Sequence, residues 1–394
     1  MYKNKIYLIL IIILLGISAI YYFTKREVEV VEPPVIAVTD GPYVFNEQKD
    51  LVAYWLCNGV VEQESLDKNN LPLSLNYCDL SANIFATEVT EDNVLIYSGD
   101  FKVAALSDFH GQYDLMNTLL TNNKIIDQQG NWSFGNGHFV ITGDVFDRGD
   151  KVTEILWFLY KLEKQALELG GQVHLLLGNH EVMILNGDLR YLHPKYVETA
   201  KKLNKPFEQL FSKTSILGNW LRSKPVLVKV NNMLFAHGGF HPSLAKEKRT
   251  LVEINTVFKE NLVKAEMPKE RDGWGKYLHK TNGPIWYRGY FAKEREKTSS
   301  AKGSQSKTSR SKDKGATSAE IDMLLKHFDV QHLIVGHTSQ QQIETRYQGR
   351  VIAIDSSIKR GQYGEILLIE KANTNSTNKM WRGSLTGEKL PLNN

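Results

Sequence analysis

Five short segments of this 394-residue chain gather side chains that bind cations and move protons. They are Ser-Asp108-Phe-His110-Gly111, Gly143-Asp144-Val-Phe-Asp147-Arg148-Gly149, Gly178-Asn179-His180-Glu181, Ala-His237-Gly238-Gly239 and Gly336-His337-Thr338. Carboxylate, imidazole and amide oxygen together suit first-row divalent or trivalent ions such as Mn, Fe or Zn. With no thiolate among them, a closed structural zinc site is disfavoured. In Asp108-x-His110, read as an extended segment, alternation puts both side chains on one side of the chain, as two ligands of one ion require. One such fragment alone is a weak signal. Five in this order, each after an apolar run that reads as a strand, place chemistry at strand ends, in loops where glycine lets backbone approach closely.

The eleven histidines sharpen the choice. Only His110, His180, His237 and His337 sit in glycine-flanked loops. His138, His174 and His332 fall within predicted strands and His327 near a helix end, where a histidine is ordinarily structural. His193, His241 and His279 read as surface or loop residues, His241 being near enough to the His237 loop to have a role.

The elements that must position these loops alternate. Lys102–Ser107, His138–Thr142 and Gln172–Leu177 read as strands, Asp114–Thr121 and Val152–Leu169 as helices, the second amphipathic and stopped by Gly170-Gly171. Pro225–Val230 and Met233–Ala236 form a hairpin around Asn231-Asn232. Thr317-x-x-Glu320 is a capping box opening a helix to about His327, and His332–Val335, Val351–Ile354 and Glu365–Ile369 finish as strands. The pattern is α/β over 101–371, preceded by a small β-rich segment over 41–100 and followed by a polar tail over 372–394.

In this order the five segments resemble the calcineurin-like metallophosphoesterases, and among them the PPP-type protein phosphatases. Leu-Leu-Gly-Asn179-His180-Glu181, Trp286-Tyr-Arg288-Gly-Tyr and Val-Gly-His337-Thr are most similar to the bacterial-type branch called Shewanella-like protein phosphatases, as, more weakly, is Asp40-Gly-Pro-Tyr-Val-Phe. The resemblance implies a metallophosphatase-type α/β/β/α sandwich and a dinuclear centre. Asp108, His110 and Asp144 would hold one ion, and Asp144 would bridge to a second held by Asn179, His237 and His337. A hydroxide bridging the two would attack phosphorus in line, with His180 as general acid, Asp147 as its partner and Arg148 clamping phosphate oxygens. Glu181 would be structural. PPP enzymes usually carry arginine immediately before Gly-Asn-His-Glu; here that residue is Leu177. Arg288 is the expected substitute in the clamp.

The implied activity is a metal-dependent phosphomonoesterase acting on a phosphorylated protein or a small phosphoester. The alternative is a nucleotide or dinucleoside-polyphosphate hydrolase, and a non-catalytic binding module stands third.

Composition bounds the rest. At 42% hydrophobic and 23% charged residues the chain is neither disordered, collagen-like nor disulfide-dense. Its net charge of +4 is unevenly spread. Residues 1–26 carry four basic residues and no acid, and the Lys/Ser-rich stretch 293–315 carries eight basic residues against three acids. The body between them is therefore mildly acidic, and no nucleic-acid partner is expected. Residues 6–23 form an uncharged apolar run after Lys3 and Lys5, read as a signal anchor (1–26) that spans a membrane, with 27–40 an extended linker around Pro33-Pro34. The catalytic body would then lie outside the cytoplasm, on the periplasmic side of a Gram-negative cell, or be secreted if the run is a cleaved signal peptide. In an oxidising compartment the two cysteines can form one Cys57–Cys78 disulfide; otherwise they remain buried thiols. The 293–315 stretch, with no large apolar side chain, is expected to be a flexible basic loop.

Overall fold

The computed structural model describes residues 37–47, 49–86, 94–291, 315–370 and 379–392. Its centre is a pair of six-stranded sheets. One runs Lys389–Pro391, Lys379–Gly383, Ile366–Glu370, Val103–Leu106, His138–Ile141, Gln172–Leu175; the other runs Glu344–Arg346, Val351–Ala353, His332–Val335, Met233–Ala236, Leu227–Val230, Ile96–Tyr97. Alternation along each strand divides the core in two. Val103, Ala105, Val140, Leu367 and Ile369 of the first sheet meet Val228, Met233, Phe235, Ile334 and Ile352 of the second in one buried cluster. Their neighbours Ala104, Leu106, Phe139, Ile141, Leu234 and Leu333 face outward into a larger cluster with the helices. Strands buried on both faces are apolar throughout, which is why they were legible as runs.

Helices cover the outer faces. Val152–Glu168 packs on Gln172–Leu175, and Leu251–Glu260 on Leu227–Val230. Thr317 caps Ser318–Phe328 through the anticipated box with Glu320. The sandwich is thus layered α/β/β/α.

The N-terminal part is β-rich: a three-stranded antiparallel sheet (Asp40–Glu47, Asp50–Cys57, Val60–Leu66) and a hairpin (Leu73–Tyr77, Leu80–Ile84). It packs on helix Val152–Glu168, where the Trp157 indole donates to the Pro42 carbonyl at 2.9 Å. A Cys57–Cys78 disulfide ties the end of its second strand to the hairpin turn.

Three boundaries differ from the sequence reading. The linker was drawn to residue 40, yet Val38 and Asp40 are buried. Asp40 enters the core because Tyr43 and Thr199 hydroxyls donate to it at 2.7 and 2.9 Å, with Lys195 at 3.5 Å, satisfaction that a hydropathy pattern does not register. Ile96–Tyr97, placed in the N-terminal segment, pairs parallel with Leu227–Val230 as an edge of the catalytic sandwich. The expected polar tail contributes two strands, Lys379–Gly383 and Lys389–Pro391, which extend the first sheet; partly exposed strands at the rim of a sheet tolerate the polar composition that hid them. Residues 6–23 lie outside the described residues, as does the basic stretch 293–315 apart from Gly315. Among the described residues no helix is long and apolar enough to cross a membrane.

Candidate metal centre and active site

The five loops meet at the C-terminal ends of the central strands. The expected extended Asp108-x-His110 does not exist: both residues have left-handed backbone, with φ of 56° and 47°. Asp144, Asp147, Arg148 and His337 are left-handed too, at 62°, 72°, 69° and 65°. Six non-glycine residues in this sparsely populated region are costly, and such strain persists only where the surroundings over-determine it. At Asp144 it is Glu181 that does so. Its buried carboxylate accepts the backbone N–H groups of Asp144 (2.8 Å), Val145 (2.7 Å) and Gly178 (2.7 Å), stitching two loops together as a structural group rather than a base. Gly111 allows the remaining close approach, since a Cβ there would stand 2.6 Å from the Gly149 carbonyl carbon.

Asp144 is the hub. Its Oδ2 lies 3.2 Å from His237 Nε2, 3.6 Å from His110 Nε2 and 3.8 Å from His180 Nε2. His237 Nε2 is also 2.9 Å from Asn179 Oδ1 and 3.0 Å from His337 Nδ1. Two triads therefore share Asp144: His110–Asp144–His180 and Asp144–His237–His337. Asp108, expected in the first, lies at its margin, with Oδ2 3.9 Å from His110 Nε2; its Oδ1 is engaged by the His337 N–H at 3.0 Å and by the Ser107 hydroxyl.

The donor set fits cations. His110 donates through Nδ1 to the Phe146 carbonyl (2.7 Å) and His237 through Nδ1 to the Thr142 carbonyl (3.0 Å). In the neutral ring each Nε2 is thereby left as a lone pair turned toward carboxylate and amide oxygens. Acceptors crowded against acceptors at these separations need positive charge between them, and ligands of one ion at about 2.0–2.2 Å stand roughly 3 Å apart. His337 Nε2 and Asp147 Oδ1 are buried without a hydrogen-bond partner among the described residues.

Electrostatics follow the same geometry. Burial pushes His110 down to about 3, against the pull of Asp144. Burial would do the same to His237, but the Asp144 carboxylate prevails and raises it to about 9. Burial, reinforced by the charges of Asp355 and Asp144, lifts Asp108 to about 8. Asp144 itself is held well below the usual carboxylate range, burial being outweighed by His237 and His180. His180 is raised despite burial, by Asp144 and by the hydrogen bond of its Nδ1 to Asp147 Oδ2. A histidine so held stays protonated toward higher pH, as a proton donor must.

Two arginines flank the centre. Arg148 lies 5.1 Å above the Tyr191 ring, which also packs against His180 at 5.4 Å. Arg288 is tethered to the His337 loop, its Nη1 donating to the His337 carbonyl (3.0 Å) and to the Thr338 hydroxyl (2.9 Å). Leu177, where an arginine would be usual, is fully buried and belongs to the core. His241 lies beside the site, its Nδ1 2.9 Å from the Tyr277 hydroxyl, but in neither triad. His279 was read as a surface or loop residue; it is buried and stacked on Phe258 at 4.1 Å. Tyr191 and Asp355 escaped the sequence reading, and Thr338, though inside the Gly336-His337-Thr338 segment, was given no role there. Asp355 alone left a trace, a carboxylate directly after the apolar run Val351–Ile354.

A carboxylate shared by two groups of imidazoles at the strand ends of a two-sheet sandwich is an arrangement able to hold cations, as metal-binding phosphoesterase folds do. Residues 101–341 match the family described as calcineurin-like phosphoesterase. The chain is 30% identical over 245 residues to Shewanella-like protein phosphatase 1 of Plasmodium berghei, an alignment covering 61% of each. It thus spans less than two thirds of that relative. The crystal structure of a cold-active protein-tyrosine phosphatase from a psychrophilic Shewanella species is 39% identical, with a TM-score of 0.78, over 90% of this chain and 99% of that one. Partial similarity, 29% over 35% of this chain and 43% of the relative, extends to a symmetrical bis(5'-nucleosyl)-tetraphosphatase of Neisseria meningitidis. This chain belongs to the calcineurin-like phosphoesterase family.

Proposed function

We propose that the protein is a metal-dependent phosphomonoesterase acting on phosphoproteins, phosphotyrosine among them. The observation that carries this is Asp144 standing between two imidazole groups with the His180–Asp147 pair beside it. The 39% identity to a protein-tyrosine phosphatase supports the protein substrate.

Asp144, His237, His337, Asn179, His110 and Asp108 would hold two ions of the Mn, Fe or Zn type, which when bound supply a nucleophilic water at neutral pH and charge on the phosphoryl oxygens. Everything else falls to the chain's own side chains. Arg148, over Tyr191, and Arg288, on the His337 loop, hold phosphate oxygens, their planar guanidinium groups matching two oxygens at once. His180 delivers the proton of its Nε2 to the departing alkoxide or phenoxide oxygen. Asp147 keeps the other nitrogen protonated and the ring oriented.

The test is metal analysis of the purified protein with a panel of p-nitrophenyl phosphate, phosphotyrosine and phosphoserine peptides, ATP and diadenosine tetraphosphate. Peptide hydrolysis with bound metal is expected. Faster turnover of the nucleotides would replace this reading by the nucleotide hydrolase, and bound metal without hydrolysis of any ester would leave a binding module.

We also propose that residues 6–23 anchor the protein with its body outside the cytoplasm, a reading supported by the Lys3 and Lys5 flank and by the Cys57–Cys78 disulfide, which persists in oxidising compartments. Protease should digest the body from outside intact cells stripped of their outer layers. Digestion only after lysis would reverse this orientation.

A further inference from the structure

Beside the metal centre lies a cavity of about 640 Å³ that shares Asn179 with it and runs past Trp286, whose ring stands 5.7 Å from that of His337. Its walls carry five lysine and arginine side chains against two carboxylates. That imbalance is larger than it looks. Asp188 is engaged by the Arg190 guanidinium at 2.7 and 2.8 Å, so it does not oppose the cavity's charge. Arg271 is fixed on the Asn261 and Leu262 carbonyls, and Lys269 is paired with Asp272. Lys264, Lys276 and Lys280 are exposed and form no ion pair among the described residues. Three ammonium groups without an ion pair among the described residues, against the one remaining carboxylate Glu270, thus line a cleft that meets the metal centre at Asn179, on a molecule whose body is otherwise mildly acidic. Clefts lined by one sign of charge focus the field and concentrate ligands of the opposite sign.

We propose that this cleft is a specificity subsite for Asp or Glu side chains adjacent to the phosphorylated residue of the substrate. The proposal rests on the phosphoprotein reading above and adds to it a preference in sequence. Phosphate at the metal centre fixes one point of the peptide, and the lysines then engage carboxylates one or a few residues away. Arg148 and Arg288 serve the phosphate; Lys264, Lys276 and Lys280 serve its surroundings.

The experiment uses phosphopeptides alike except for flanks of Glu, Ala or Lys, placed on one side of the phosphoresidue at a time, with the metal-loaded protein and its Lys264→Gln/Lys276→Gln/Lys280→Gln variant. The quantity read is the ratio of kcat/KM for the Glu peptide to that for the Ala peptide. Exposed ion pairs are worth about a factor of two each, so a ratio on the order of tenfold is expected on at least one side. It should shrink as salt rises and fall to about one in the triple variant. A ratio near one on both sides in the parent protein overturns the proposal, as does a ratio that survives in the variant. Failure of the underlying reading looks different: p-nitrophenyl phosphate is hydrolysed and no phosphopeptide is, whatever its flanks.

Discussion

The molecule buries two clusters of histidines, toward opposite ends of the same strands. At the C-terminal ends, His110, His180, His237 and His337 surround Asp144. Toward the N-terminal ends, between the sheets, His138 Nδ1 meets His174 Nε2 at 2.8 Å, with Phe101 stacked on His138 at 3.7 Å and Tyr97 against both rings. Burial acts alike on the two groups; the carboxylate does not. Without one, burial takes His138 down to about 4 and His174 well below its usual range, so both are neutral packing residues. With one, His237 rises to about 9. Asp144 outweighs burial at His237 and His180 but not at His110, which falls to about 3, or at His337; a metal takes the neutral ring, and the carboxylate supplies the negative charge that draws the ion in.

The most severe way to break this contrast is Asp144→Asn, which makes the first cluster resemble the second. Bound metal and activity should be lost together, checked by elemental analysis and aryl-phosphate turnover in one preparation; activity without metal would refute the assignment. Next comes His180→Ala, expected to keep its metal while kcat falls on the order of 10²–10⁴-fold, most for poor leaving groups. Full turnover of an alkyl phosphate by this variant would remove His180 as the acid. Arg148→Ala should be milder, raising KM on the order of tenfold for the loss of one charge-assisted contact, with kcat less affected.

The smallest effect lies at the other end. His138 and His174 have depressed values in the folded state, so the unfolded chain binds more protons below its own value of 6.5. Their contribution to stability is complete above pH 6.5 and is lost as pH falls toward 4. Replacing both at once, His138→Phe with His174→Phe, leaves no ring nitrogen unpaired and should flatten the acid side of the Tm profile without altering turnover. A Tm profile that kept its slope would place that sensitivity elsewhere.

Both clusters contain residues visible in the sequence, yet only one could be interpreted there. Glycine-flanked His237 and His337 announced themselves because doubly buried strands leave clean apolar runs that end where the chemistry begins. His138 and His174 read correctly as strand residues, but their mutual contact depends on pairing between strands, as Val140 opposite His174 shows. The error at Asp108 and His110 has a local cause. Alternation applies to extended backbone, and these residues are held left-handed by bonds to the Gly143 and Asp144 carbonyls. The helix Asn179–Leu185 was hidden because its first turn carries functional polar residues, Asn179, His180 and Glu181. Tyr191 is a common surface type, and nothing short of three dimensions brings it to the site.

The pairing of Lys379–Gly383 with Ile366–Glu370 bears on how the chain may be cut. Its five register pairs, Ile366 with Gly383 through Glu370 with Lys379, occupy the free side of a strand built from Ile366, Leu367, Leu368 and Ile369. Ending the protein after Glu370 would leave that side open, a row of unpaired backbone groups on an apolar ribbon that invites a neighbouring molecule to add its own strand. Such a shortened protein should form oligomers or aggregate on light scattering even though every metal-site residue is present. The last strands act as a guard on the sheet, and solubility depends on them more than catalysis does.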